Sequence, residues 1–218
     1  MKKINKTIKY ATAYQKWEKS LGVKKHRKYD SSFRFYKDIL FELIICQNGL
    51  CAYTEYRLIS ELEVEKIKKE FTLGRYRGNT IDLDFDIEHF DSSLKEHYGW
   101  RWSNLFAVYS LINQKVKRRE ERKLNNIGKK VHHIMKPDLI NYSSKQVLKY
   151  NASLNIFIPN SSLNKHEKEQ VKEMIICLGL NNGLVRMKRE EYYNELDVRK
   201  SIGEKIKPHQ FITGWELR

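Results

Sequence analysis

The sequence predicts an α+β fold, mainly helical, and three observations carry that reading. Apolar residues recur at helical spacing in two stretches, Phe33, Tyr36, Ile39, Leu40, Leu43 and Ile44, then Val171, Met174, Ile175 and Leu178. One stretch alternates with period two, Ile81, Leu83, Phe85 and Ile87 against Asp82, Asp84, Asp86 and Glu88. Glycine, asparagine and proline punctuate the chain between such stretches, with no internal repeat and no low-complexity tract.

The elements follow in order. The first thirty residues interleave Lys and Arg with Tyr10, Tyr14, Trp17 and Tyr29, the make-up of an arm along a phosphate backbone or of a tail that packs its aromatics on a core. Ser31 or Ser32 caps the first predicted helix and Gly49 ends it. Residues 50–57 read as a short strand or hairpin arm, Ile59 to Phe71 as a helix, and Gly74, Gly78 and Asn79 as a loop. The strand over 80–89 ends at His89, and a loop with Ser92, Ser93 and Gly99 leads to an apolar run, Trp102 to Val116, expected as a helix. Beyond Pro137, Asn155 to Pro159 reads as a strand, a helix ends at Gly179, and another spans Leu184 to Leu196. The implied organisation is a basic arm over 1–30, a core over 31–136 and a mostly helical extension over 137–218 packed on that core.

Composition narrows the class. In 218 residues, 42 Lys+Arg face 27 Asp+Glu, a formal net charge of +15, with pI near 9.6 and mean hydropathy −0.69. Apolar runs such as Leu43–Cys46 fall far short of the ~20 residues that span a bilayer, so no membrane segment and no secretory signal is expected. Cys46, Cys51 and Cys177 are odd in number and unpaired in spacing, which favours a reducing cytoplasm over a disulfide framework. The positive charge is clustered. Ten Lys/Arg in the first thirty residues meet only Glu18 and Asp30, and a second cluster runs from Lys115 through Lys117, Arg118, Arg119 and Arg122 to Lys130. Clustered cations gain affinity for a polyanion by releasing its condensed counterions, so nucleic acid is the expected partner.

His89, Asn104 and Asn113 invite a joint explanation, with Glu88 directly before the histidine. Hydrolysis of a phosphodiester at one metal needs a base for water, a divalent cation at the departing oxygen, oxygen ligands for that cation and a rigid loop. Histidine suits the first role, and a carboxylate with an amide oxygen suits Mg²⁺. The segments Ile87-Glu88-His89-Phe90, Trp102-Ser103-Asn104-Leu105 and Asn113 resemble the ββα-metal finger of HNH nucleases, specifically the PtuB-like HNH proteins of Septu and retron antiphage systems. Upstream, Gln47 to Glu55 is similar to that family's "GLCAYCE" hairpin, and downstream Leu178 to Asn182, Leu184-Val185 and Arg189 are similar to its carboxy-terminal segment. The resemblance covers about Phe35 to Arg189 and implies an HNH finger embedded in helices. It implies His89 as general base, Glu88 and Asn113 as metal ligands, Asn104 as the residue holding the histidine loop, and a gating partner ATPase. Lys115, Lys117, Arg118, Arg119 and Arg122 are candidate DNA contacts on charge and proximity alone.

The chain departs from the family pattern in two ways. Relatives carry two CxxC pairs for a structural Zn²⁺; here Cys51 stands alone, with Thr54, Tyr109 and Ile112 at the other positions, so no structural zinc is expected. The last finger position is asparagine rather than histidine, which favours Mg²⁺ or Mn²⁺ over catalytic Zn²⁺. Two alternatives stay open: a degenerate finger that binds nucleic acid or docks a partner without chemistry, and an RNase acting on tRNA. The His132-His133 pair reads as surface polarity, Cys46 and Cys177 as core, and the Asp82, Asp84 and Asp86 stripe as the wet face of an edge strand.

Overall fold

The computed structural model describes residues 1–79 and 84–218. The architecture is α+β and mainly helical, with three small antiparallel sheets of two strands each among the described residues. Contacts divide the chain into two compact units: an amino-terminal unit of Ile4–Cys51 and Leu58–Ser110, and a carboxy-terminal unit of Met1–Lys3, Ala52–Arg57 and Leu111–Arg218. Among the described residues no helix is long and apolar enough to cross a membrane.

In the amino-terminal unit, α1 (Thr12–Leu21) and α2 (Tyr36–Cys46) are followed by α3 (Glu61–Lys69). A capping box sets the start of α3: Ser60 accepts from the Glu63 N–H, and Glu63 accepts from the Ser60 N–H. β1 (Phe71–Thr72) and β2 (Arg75–Tyr76) form a tight hairpin where the sequence reads only as a loop. Its two turn residues, Leu73 and Gly74, both have positive φ (49° and 75°), the geometry that matches strand twist in a two-residue connection. Gly74 is also required sterically, because a Cβ there would lie 2.2 Å from Thr12 Oγ1.

The central pair is β3 (Phe85–His89) and β4 (Leu105–Tyr109), antiparallel in the register Phe85↔Tyr109 through His89↔Leu105. A short α4 (Lys95–Tyr98) lies in the connection. Residues 80–83 of the expected strand lie outside the described residues. The run from Trp102 to Val116 is not the single helix that its apolar content predicts. Trp102–Asn104 is a 3₁₀ turn, 105–109 is strand, and helix begins only at Ile112. The physical reason is burial on both faces of β4: Leu105, Phe106, Ala107 and Val108 are all fully buried, so the strand shows no polar alternation. Residues 50–57 likewise form turns with isolated bridge residues rather than a strand.

An aromatic core explains what the amino-terminal tyrosines and tryptophan do. Tyr14 is wholly buried, and the Trp17 ring lies 4.9 Å from Phe33, which packs 4.2 Å from Trp100. Ile39, Leu43, Ile44, Ile87 and Leu105 belong to the same buried cluster.

The carboxy-terminal unit begins with a π-helix, Ile112–Lys117, that runs into α5 (Arg118–Asn126). Then come α6 (Ser144–Val147), the paired strands β5 (Leu148–Asn151) and β6 (Ile156–Pro159), α7 (Lys165–Cys177), α8 (Gly183–Ser201) and α9 (Ile212–Glu216). Arg189 organises this unit from inside. It is 1% exposed, donates to Asn155 Oδ1, Asn155 O and Leu180 O, and lies over the Phe157 ring at 4.9 Å. The sequence reading of His132 as surface polarity is corrected here: its Nε2 lies 2.6 Å from Glu173 Oε2, tying the 132–135 segment to α7.

Candidate functional site

His89 is the last residue of β3 and Asn104 immediately precedes β4, so the strand pairing brings their backbones together: the Phe90 N–H donates to Asn104 O at 2.8 Å. The Asn104 side chain completes the link. Its Oδ1 accepts from the Asp91 N–H and its Nδ2 donates to Asp91 O, both at 2.9 Å. Both backbone groups of the second residue after His89 are thereby held by one amide, which is 3% exposed. Lys6 braces the same turn from outside the motif, donating to the carbonyls of Trp102 and Leu105 on either side of Asn104. Trp102 N in turn donates to Glu18 on α1 at 2.7 Å.

The ring of His89 is fixed at two places. Nε2 lies 2.7 Å from Gly99 O, and a carbonyl can only accept, so Nε2 carries the proton and the neutral ring's acceptor is Nδ1. The Tyr29 ring meets the imidazole edge-on at 4.7 Å and stacks on Trp100 at 4.6 Å. Burial pushes the Tyr29 hydroxyl's pKa well above the ordinary tyrosine range, so it stays a neutral donor, 3.2 Å from Ile87 O. From the sequence, Tyr29 reads only as an arm aromatic and Gly99 only as a loop glycine, and none of Lys6, Gly99 and Tyr29 is given a role at the site. Gly99 and Tyr29 act through a carbonyl and a ring face, and Lys6 was one basic residue among ten.

Glu88 is paired with Phe106 across the sheet. By strand alternation its carboxylate projects to the face opposite His89, yet both residues are buried, at 5% and 4% exposure. The carboxylate is a hard oxygen donor of the type Mg²⁺ prefers. Asn113 belongs to the carboxy-terminal unit, half-buried in the π-helix, where its carbonyl accepts from the Arg118 N–H. Glu88 and His89 thus lie in the β3–β4 pair, with Asn104 directly before β4. The widened π turn around Asn113 is a geometry that recurs at functional sites.

The five candidate DNA contacts differ in what they can reach. Lys115, Arg118 and Arg122 are exposed, spaced three and four apart on one helical face, and have no ion-pair partner among the described residues. Arg119 is exposed but paired with Glu120 at 2.7 Å. Lys117 is corrected: it is 1% exposed and paired with Glu121 at 2.8 Å, so its ammonium is committed inside the unit and cannot reach a surface phosphate.

The three cysteines are unbridged. Cys51 Sγ accepts from the Tyr109 N–H at 3.3 Å. Burial, foremost, and the charge of Glu42 push the Cys46 thiol up to about 12. With so little thiolate at pH 8, alkylation by iodoacetamide is expected to run roughly 10³ times slower than at an ordinary cysteine. Intact mass of the native protein should show no rapid adduct, and three adducts after denaturation.

No family model matches this chain, and no curated protein matches it.

Proposed function

We propose that this chain is an HNH-type, metal-dependent endonuclease that hydrolyses DNA phosphodiester bonds. The observation that carries the reading is the double clamp of Asn104 on Asp91, which rigidifies the turn after a histidine whose Nε2–H is already committed to Gly99 O. A base so held presents Nδ1 in one orientation, which lowers the entropic cost of taking a proton from water. Glu88 would hold the cation, Mg²⁺ or Mn²⁺; the part given to Asn113 rests on the family resemblance alone. When bound, the cation would supply charge stabilisation at the departing oxygen. Lys115, Arg118 and Arg122 would contact phosphates, which positions DNA without choosing a sequence. Action in the cytoplasm in antiphage defence, under a gating partner ATPase, is part of the same proposal and rests on the resemblance.

One observation favours a second reading. The β3 register runs unbroken to His89, placing Glu88 and His89 on opposite faces, which suits a finger that keeps the fold and binds nucleic acid without cutting it. Incubation of the purified chain with supercoiled plasmid, single-stranded DNA and tRNA, in Mg²⁺, Mn²⁺ or EDTA, separates the readings. The nuclease reading expects nicking of duplex DNA that either metal supports and EDTA stops. Binding without cleavage, alone or with the neighbouring operon's proteins, overturns it in favour of the binder. Cleavage confined to tRNA moves the activity to RNA.

A further inference from the structure

The carboxy-terminal unit carries a second surface feature, independent of the proposed nuclease site. An open groove of about 650 Å³ lies between β6 and α7. Its floor is apolar: Ile156, Ile158 and Pro159 from β6 face Ile175 and Ile176 from α7. Ile176 is 58% exposed, a large aliphatic side chain left in water on a helix whose neighbours Ile175 and Cys177 are buried. One border of the groove is basic. Lys165, Lys168 and Lys172 recur at intervals of three and four along α7, and against Glu169 they leave a border charge of 3 − 1 = +2. Lys172 does pair with Glu169 at 2.7 Å, but both are more than half exposed, and such a pair exchanges readily for another partner.

The backbone decides how the groove can be filled. Strand addition needs outward N–H and C=O groups along β6. Asn181 already occupies both such groups of Phe157, accepting from its N–H and donating to its carbonyl at 2.8 Å each, and Pro159 has no N–H. A ligand must therefore bind through side chains. The groove is also too open to enclose a small molecule on most sides, as small-molecule sites do. What remains is an amphipathic helix laid along α7, whose 13 residues extend about 20 Å, with apolar residues on the isoleucine floor and carboxylates against the lysines. We infer that this groove docks an acidic amphipathic helix of a partner protein.

The test uses the full chain and a fluorescein-labelled 18-residue peptide with Leu at helical i, i+3, i+4, i+7 spacing and Glu on the remaining face. A scrambled peptide of the same composition controls for the chain's overall positive charge. Fluorescence anisotropy should show the patterned peptide binding at least tenfold more tightly than the scrambled one. Ile176→Asn, which changes no charge, should remove that preference, and the triple variant K165E/K168E/K172E should weaken binding of the patterned peptide at least tenfold. The substituted side chains are at least partly exposed, so unchanged thermal unfolding is expected for both variants and keeps the comparison valid. Equal affinity for the two peptides, or a preference that survives Ile176→Asn, overturns the proposal. Ile176-dependent binding to phosphatidylglycerol vesicles without binding to the patterned peptide also overturns it, assigning the groove to a membrane surface.

Discussion

Replacing Glu42 by alanine is expected to destabilise the amino-terminal unit by about 3–5 kcal/mol, the cost of leaving charge-assisted hydrogen bonds unmade. Glu42 is fully buried on α2, and its carboxylate accepts from three consecutive backbone N–H groups: Lys9 at 2.8 Å, Tyr10 at 2.9 Å and Ala11 at 2.6 Å. Ala11 is the residue at the start of α1 and has no side chain with which to cap it. The carboxylate of a different helix thus does the capping, at the end of α1 where negative charge is favoured. Glu42→Gln keeps the shape but replaces one acceptor oxygen by a donor that faces an N–H, so it should lose about half as much. Urea denaturation measures the loss, and hydrogen exchange should show α1 opening first. A cost below about 1 kcal/mol for Glu42→Ala would mean that water replaces the carboxylate and that α1 does not depend on it.

The effect should reach beyond stability, because α1 holds the loop that flanks the proposed base. Tyr14 donates to Trp100 O at 2.6 Å, and Glu18 accepts from Trp102 N. Trp100 follows the glycine whose carbonyl fixes His89, and Trp102 opens the turn that ends in Asn104. The sequence shows this segment as cationic and aromatic, equally fit for DNA or for packing. In the structure its aromatics pack. The pattern of charge was legible, but the use of Tyr14, Glu18 and Lys6 as braces was not, since each acts on a backbone group some eighty or more residues away in the chain.

What else could be read followed from local rules. Helix α3 was legible as the charged stretch from Ile59 to Phe71, α7 from its apolar spacing and the glycine at 179, and α8 as the run from Leu184 to Leu196, whereas the Ser60 cap that starts α3 was not read. The β1–β2 hairpin was hidden because its turn carries Leu73 where asparagine or glycine would have announced it. Strand β4 was hidden because burial on both faces erases alternation. At the candidate site, the family resemblance alone grouped Glu88, His89 and Asn104, and reading Trp102 to Val116 as a helix concealed the strand pair that brings them together. Spacing could not tell that Lys117 is buried while Lys115 and Arg118 are exposed, because a helix start displaced by the π turn resets which residues face out.

Within the proposed nuclease, His89→Ala should lower Mg²⁺-dependent plasmid cleavage by about 10²–10⁴-fold, the range that one general base supplies. DNA affinity should stay within about twofold, because no phosphate contact is assigned to the ring. Loss of cleavage alone would not separate chemistry from folding, since the imidazole is buried and bonded to Gly99 O. Two further measurements do. Added imidazole should restore at least tenfold of the rate to His89→Ala, because the cavity left beside Tyr29 has the shape of the missing ring and a diffusible base can fill it. Asn104→Ala makes the contrast: it deletes both side-chain bonds to Asp91, should cost about 2–3 kcal/mol of stability, and should lower cleavage without any response to imidazole, since the base is present but misdirected. Rescue of both variants, or of neither, would count against His89 as the group that takes the proton. Cleavage by His89→Ala at the wild-type rate would place the base elsewhere in the chain.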